Sequence, residues 1–289
     1  MSVITKKFLM EVANVINESE AIPYYEARCE AVVKPNIEKF GIILSAVDSK
    51  GSCVCPVVYF DTFKGENVSD AVDYVKKVFE QSFDKTLELG NCDISSFIKG
   101  HIHEVRMGVV NASNTEFMKK YAGRQIWDLY FFYYIILEEG KGGISTVKLT
   151  PSLLDMFGID EDALYNLAKE NISKDCVHIN MNDLLPPELS MLLPDDQPYM
   201  EVVSNKNHMY GAAQILNKEL LAKIAKKRGC DLVILPSSMN EVIITEKSYL
   251  EGADISSMIG SVNSECVNAD EVLSDHPYFY HKETGFISC

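Results

Sequence analysis

Asp231-Leu232-Val233-Ile234-Leu235-Pro236-Ser237-Ser238, followed at once by Met239-Asn240-Glu241-Val242-Ile243-Ile244, decides how this 289-residue chain is read. A short apolar run bounded by turn residues predicts a buried strand. Pro236 has a fixed φ and no amide proton, and the two serines can bond neighbouring backbone. Leu232–Leu235 and Val242–Ile244 are therefore expected to be adjacent strands joined by a tight connection. Upstream, Asn217 caps a helix with the apolar stripe Leu220, Leu221, Ile224 and Ala225. Lys226, Lys227 and Arg228 complement its dipole before Gly229 stops it. Downstream, Asp254 caps a helix to about Asn263, and Tyr278–Tyr280 reads as a strand.

The same rules organise the rest. Phe8–Ile16 has helical periodicity. Lys39–Asp48 and Cys53–Asp61 form an expected hairpin around residues 49–52, and Asn67 offers a cap for the helix that follows. Val105–Val110 reads as a strand and Thr115–Tyr121 as a helix. Trp127–Leu137 is apolar or aromatic at both parities, which predicts a central strand covered on two faces. It turns back through residues 138–143 into Ile144–Leu149. Thr150-Pro151 opens a helix that Gly158 ends, and Asp160–Asn171 makes another. Tyr199–Ser204 and Tyr210–Leu216 read as strands. The fold class is α+β, a mixed and largely antiparallel sheet with packed helices. Pro186-Pro187 and Pro194–Pro198 suggest two lobes, residues 1–198 and 199–289, or one continuous domain.

Composition excludes several classes. Hydrophobic residues make up 47% and charged residues 24%, so the chain has the means to build a core. No apolar run approaches the ~20 residues that span a bilayer. No sustained apolar region precedes Glu11, which predicts no signal peptide and a cytoplasmic location. The formal net charge of −15 is spread along the chain and argues against direct nucleic-acid binding. None of the eight cysteines makes a C-x-x-C pair, and free thiols are expected.

Candidate chemistry is sparse. No dinucleotide fingerprint, P-loop, G-x-S-x-G or H-E-x-x-H motif occurs. His101 and His103 would share a face on a strand as a metal pair needs, but no third ligand can be assigned, with His178 and Cys92 unplaced. Ser237 and Ser238 stand at a strand end, where a nucleophile could be presented. Activation needs a base, with His276 or His208 as candidates and Glu241 the nearest carboxylate in sequence. The plain alternative is turn-capping hydroxyls. Asn205-Lys206-Asn207-His208 is polar enough for a binding loop and equally an ordinary turn. No cofactor and no bound metal are expected.

Several segments carry a family resemblance: Ser204-Asn205-Lys206, Tyr210-Gly211-Ala212-Ala213, Leu235-Pro236-Ser237-Ser238, Asn240-Glu241-Val242-Ile243, Asp270–Asp275 and Tyr280–Gly285. Val32–Asn36, Pro56–Phe60 and Asp160–Tyr165 fit the same pattern. The chain resembles an uncharacterised bacterial family of unknown function, the DUF5688 group, over nearly its whole length. The resemblance implies no reaction, cofactor or catalytic residue. Where that family often carries a histidine before Glu-Val, this chain has Asn240, which weakens a role for a histidine there. The leading expectation is a non-catalytic protein-interaction or accessory module. The alternative is a hydrolase-like or metal-dependent enzyme built on Ser237/Ser238 or His101/His103.

Overall fold

The computed structural model describes residues 4–33, 38–47, 55–90, 94–140, 143–184 and 198–289. The chain divides into two compact units. One comprises Met1–Lys34, Glu38–His101 and Gly140–Gly143; the other comprises Pro35–Ile37, Ile102–Glu139 and Ile144–Cys289.

In the first unit, helix α1 (Lys6–Glu18) starts at Thr5, whose hydroxyl accepts from Phe8 N at 3.2 Å. Its buried stripe, Leu9, Val12, Ala13 and Ile16, lies on one face because 3.6-residue periodicity puts it there. Strands β1 (Tyr25–Val33), β2 (Glu38–Ala46) and β3 (Val57–Val58) form an antiparallel sheet in that order. Asn17 locks α1 to the sheet. Its amide donates to Ala27 O at 2.9 Å and accepts from Ala27 N at 2.8 Å. Helices α2 (Val68–Gly90) and α3 (Ile94–His101) follow. Ala71, Val75 and Phe79 of α2 join the α1 stripe, Ala27, Ile42 and Leu44 in one core. The expected hairpin is present as β2–β3, although its second strand is only two residues long and its turn lies outside the described residues. Strand β1 has no counterpart among the sequence expectations. Its signal is the alternation of Tyr25, Ala27, Cys29 and Ala31 with Glu26, Arg28 and Glu30.

The second unit holds β4 (Arg106–Asn111), α4 (Thr115–Lys120), β5 (Gly123–Ile126), β6 (Leu129–Gly140), β7 (Gly143–Lys148), α5 (Pro151–Phe157) and α6 (Glu161–Ile172). It continues with β8 (Cys176–Asn180), β9 (Met200–Asn205), α7 (Lys218–Arg228), β10 (Leu232–Ser238), β11 (Glu241–Glu246), α8 (Ile255–Cys266), β12 (Tyr278–Tyr280) and β13 (Ile287–Ser288). Strand β6 lies between β4 and β5 in a four-stranded sheet, with β7 also paired to it. Leu129 to Ile135 are all between 0 and 6% exposed, which is the two-faced burial the aromatic run predicts. The second sheet runs β13-β12-β10-β11-β9-β8, antiparallel along its length. The opening stretch is its β10–β11 hairpin, with Ile234 opposite Ile244 and a bulge between Pro236 and Ser238. Among the described residues no helix is long and apolar enough to cross a membrane.

One expectation changes. Tyr210–Leu216 is not a strand: Gly211–Leu216 is a 3₁₀ helix with all six residues buried. Burial on every side erases the periodicity that separates strand from helix. This turn touches β9 and β11 of one sheet and β4 of the other. Tyr210 leads into it at φ 57° and sets its ring against Phe132 and Tyr134, with centroids 5.0 and 5.5 Å away. Residues 185–197, the proline-bearing stretch near the expected lobe boundary, lie outside the described residues, and the strands on either side, β8 and β9, are hydrogen-bonded neighbours. The chain passes from the first unit to the second between His101 and Ile102.

Two consequences are measurable. Phe131→Ala removes a fully buried ring and should lower unfolding free energy by about 3–5 kcal/mol in urea titration; a loss below ~1 kcal/mol would mean the strand is not core. Burial also pushes the Tyr130 and Tyr210 hydroxyls up to about 12 and raises those of Tyr133, Tyr134 and Tyr278. An unfolded tyrosine ionises near ~10. Above that pH the unfolded chain binds fewer protons than the folded one, so stability falls as pH rises. The urea midpoint should drop on passing about pH 10, and a level midpoint through that range would contradict this burial.

Candidate functional site

The β10–β11 turn is held by Asn240, all four of whose polar atoms are engaged. Its backbone N donates to Ser238 Oγ at 3.0 Å, and its carbonyl accepts from Ser204 Oγ at 2.7 Å. Its side-chain oxygen accepts from Tyr210 N at 3.0 Å, and its amide nitrogen donates to Glu271 Oε1 at 3.0 Å. Gly211 sits where the 3₁₀ helix passes this turn. A Cβ there would lie 2.2 Å from Ser204 Oγ and 2.5 Å from Asn240 O, so only glycine fits. Ser238 Oγ thus accepts from the backbone of the turn. Ser237 donates to Glu241 Oε1 at 3.1 Å, a carboxylate rather than an imidazole.

His276 lies elsewhere, at a second polar centre. Trp127 and Asp128 form the two-residue turn between β5 and β6, with Trp127 at φ 57°. Asp128 collects three side chains from the C-terminal segment. Ser274 Oγ donates to Oδ2 at 2.9 Å and the Tyr278 hydroxyl to Oδ1 at 2.7 Å, while His276 Nε2 stands 3.1 Å from Oδ2. The other ring nitrogen of His276 faces Pro277 O at 3.1 Å. Asn111 Nδ2 donates to Leu273 O at 2.8 Å and Asn263 Nδ2 to Ser274 O at 3.0 Å, clamping the segment from both sides. An open cavity of about 680 Å³ adjoins this centre, lined in part by Asn111, Ser113, Thr115, Ser274 and Asp275. Serine, histidine and aspartate meet here, yet both the hydroxyl and the imidazole contact the carboxylate. A hydrolytic relay needs the hydroxyl on the imidazole.

The remaining candidates separate. His101 ends α3 in the first unit, with its ring stacked 4.0 Å from Phe97 and Nδ1 2.9 Å from Phe97 O. His103 belongs to the second unit, in a 3₁₀ turn over Ile102–Glu104, 3.5 Å from Glu104. The strand that would have put both on one face is absent there, because the chain is helical through this stretch. His178 pairs with Glu201. Cys92 and Cys53 lie outside the described residues; among the described ones, no group of three or more His, Cys, Asp or Glu side chains could hold a metal. Asn205, in the expected binding loop, is buried. Its amide donates to Met209 O at 2.8 Å and accepts from Asn207 N and Met209 N, both at 3.2 Å, so it shapes the loop. Lys206 N donates to Asp175 O at 2.9 Å, which ties this loop to the start of β8. His208 is exposed at φ 48°.

A family model described only as a family of unknown function, DUF5688, matches residues 5–282. The chain belongs to that family. The DUF5688 match covers both units, and it includes the Asn240 turn and the Asp128 centre. No curated protein and no solved structure matches the chain.

Asp128 was not among the sequence candidates; no local pattern marks it, since its partners lie 146 and 150 residues away. Asp128→Ala would strand the buried Tyr278 and Ser274 hydroxyls, each at about 1–3 kcal/mol. A total loss on the order of 3 kcal/mol is expected in chemical denaturation, with an unchanged value indicating that the centre holds nothing together.

Proposed function

We propose that this DUF5688 chain is a non-catalytic protein-interaction or accessory module of the bacterial cytosol, working without cofactor and without direct contact to nucleic acid or membrane. The observation that carries the reading is the wiring of Asp128. The hydroxyl and imidazole that could form a relay both use the carboxylate as their partner, so the Ser274 hydroxyl is turned to Asp128 and not to the His276 ring. Ser237 is turned to Glu241 and Ser238 to Asn240 N, which leaves those hydroxyls in structural roles. The charge of −15 suits a partner with a basic face, whose association would slow as salt screens the attraction.

A second reading rests on one specific contact. The 3.1 Å approach of His276 Nε2 to Asp128 is the orienting half of a hydrolase-like site. The two readings differ in reactivity towards a fluorophosphonate probe. Mass spectrometry should find no adduct on Ser237, Ser238 or Ser274; an adduct lost in His276→Ala would establish the hydrolase reading instead. The interaction reading further expects a stoichiometric protein complex from the native host that re-forms from purified components.

A further inference from the structure

Beside the start of β4, a crevice of about 390 Å³ opens between the 3₁₀ turn over Ile102–Glu104, the end of β6 and the end of α6. Its volume is in the range of small-molecule sites. Arg106 and Asp175, ion-paired with each other, line both the crevice and a smaller cavity of about 10 Å³ behind it. That inner space holds no more than one water, so a ligand stops at the Arg106–Asp175 pair. Burial raises the Asp175 carboxyl against the opposing pull of Arg106. Asn171 fixes the wall, its amide nitrogen donating to His103 O and Val105 O, both at 2.9 Å. The crevice is therefore preformed, which lowers the ordering cost of binding.

The charges on its walls do not all cancel. Arg106 is matched by Asp175, and His103 by Glu104. Lys174 Nζ donates to Asn171 Oδ1 at 2.6 Å, and this is a neutral partner. Among the described residues neither Lys174 nor Glu139 has an ion pair, with each other or with any other side chain, although both line the crevice. A bare anion here meets Glu139 and Glu104, and a bare cation meets Lys174 and Arg106. A molecule carrying both charges satisfies both sets of groups, and Ile136 adds an apolar surface to the lining.

We infer that this crevice binds a small zwitterion of the α-amino-acid class, with the carboxylate towards Lys174 and Arg106 and the ammonium towards Glu139. The guanidinium has five N–H donors in a fixed fork, so its contact with Asp175 leaves others for a carboxylate. The site stands apart from the protein-interaction reading and does not depend on it.

Isothermal titration of the full chain with glycine, L-alanine and L-leucine tests this directly, with 4-methylpentanoate and 3-methylbutylamine as leucine analogues lacking one charge each. At least one amino acid should give saturable one-site binding. For leucine, each single-charge analogue should bind about tenfold more weakly, since each loses an interaction of about 1.4 kcal/mol. Lys174→Gln and Glu139→Gln should each weaken amino-acid binding about tenfold, without a change in melting temperature, because both side chains are exposed. Three results would overturn the assignment: no saturable binding by any of the three amino acids, equal binding of the single-charge analogues, or wild-type affinity in both variants.

Discussion

Asn240 is the constraint on which the second unit depends. A two-residue hairpin turn needs little beyond permissive backbone, yet Asn240 presents three polar atoms to three distant segments, β9, the lead-in to the 3₁₀ helix and the loop before β12, and its backbone N to Ser238 within the turn. Each bond contributes modestly, about 1 kcal/mol. Their geometry matters more, because satisfying all four at once permits only one placement of those segments. The close approach at Gly211 follows from it, and so does the position of Tyr210 against the aromatic face of β6. Glu271, held by Asn240 and by Asn268 at 2.9 Å, then delivers Ser274, His276 and Tyr278 to Asp128. The six-stranded sheet and the four-stranded sheet are thereby linked through polar contacts as well as through the core.

Carboxylates do much of this linking. Asp128 and Glu271 receive the C-terminal segment. Glu161 receives the hydroxyl of Tyr133 and the guanidinium of Arg124, which also stacks 4.2 Å from the Tyr165 ring. Glu201 takes the Tyr199 hydroxyl and His178, and Glu246 takes Arg228, whose guanidinium lies over Tyr199. In each case an acidic group meets hydroxyl, imidazole or guanidinium donors that would be costly to leave unpaired near the core. Part of the acidic composition is thus structural, and solubility need not account for all of it.

What could be read from the sequence follows the range of the forces involved. Caps and stops are local, and they are found where the residues suggested. Thr150, Asn217 and Asp254 each accept from a backbone N–H in the first turn, and Gly158 and Gly229 end their helices at positive φ. The β10–β11 hairpin and β6 were legible because long apolar runs leave few alternatives. The partly exposed strands β1, β5 and β8 leave weak signals, being short or mixed in polarity. The site was the least legible part. Of the named residues, His276 lies at a polar centre with a cavity beside it and His103 lines the polar crevice, and the carboxylate that His276 meets is Asp128. Its partner Asp128 sits in a turn that local rules assign to hairpin geometry alone. Lys174 and Glu139 are ordinary exposed charges in sequence, and only the fold brings them to one crevice.

Trp127 is the single tryptophan of the chain. It occupies the turn that carries Asp128, and its ring lies 5.5 Å from that of Tyr278. Nature has placed one fluorophore at the point where the C-terminal segment docks. Its emission therefore reads the seating of that segment without any label and without background from other indoles. Detachment of the segment, whether thermal, chemical or caused by a partner, would be visible as a change in the colour and intensity of one residue.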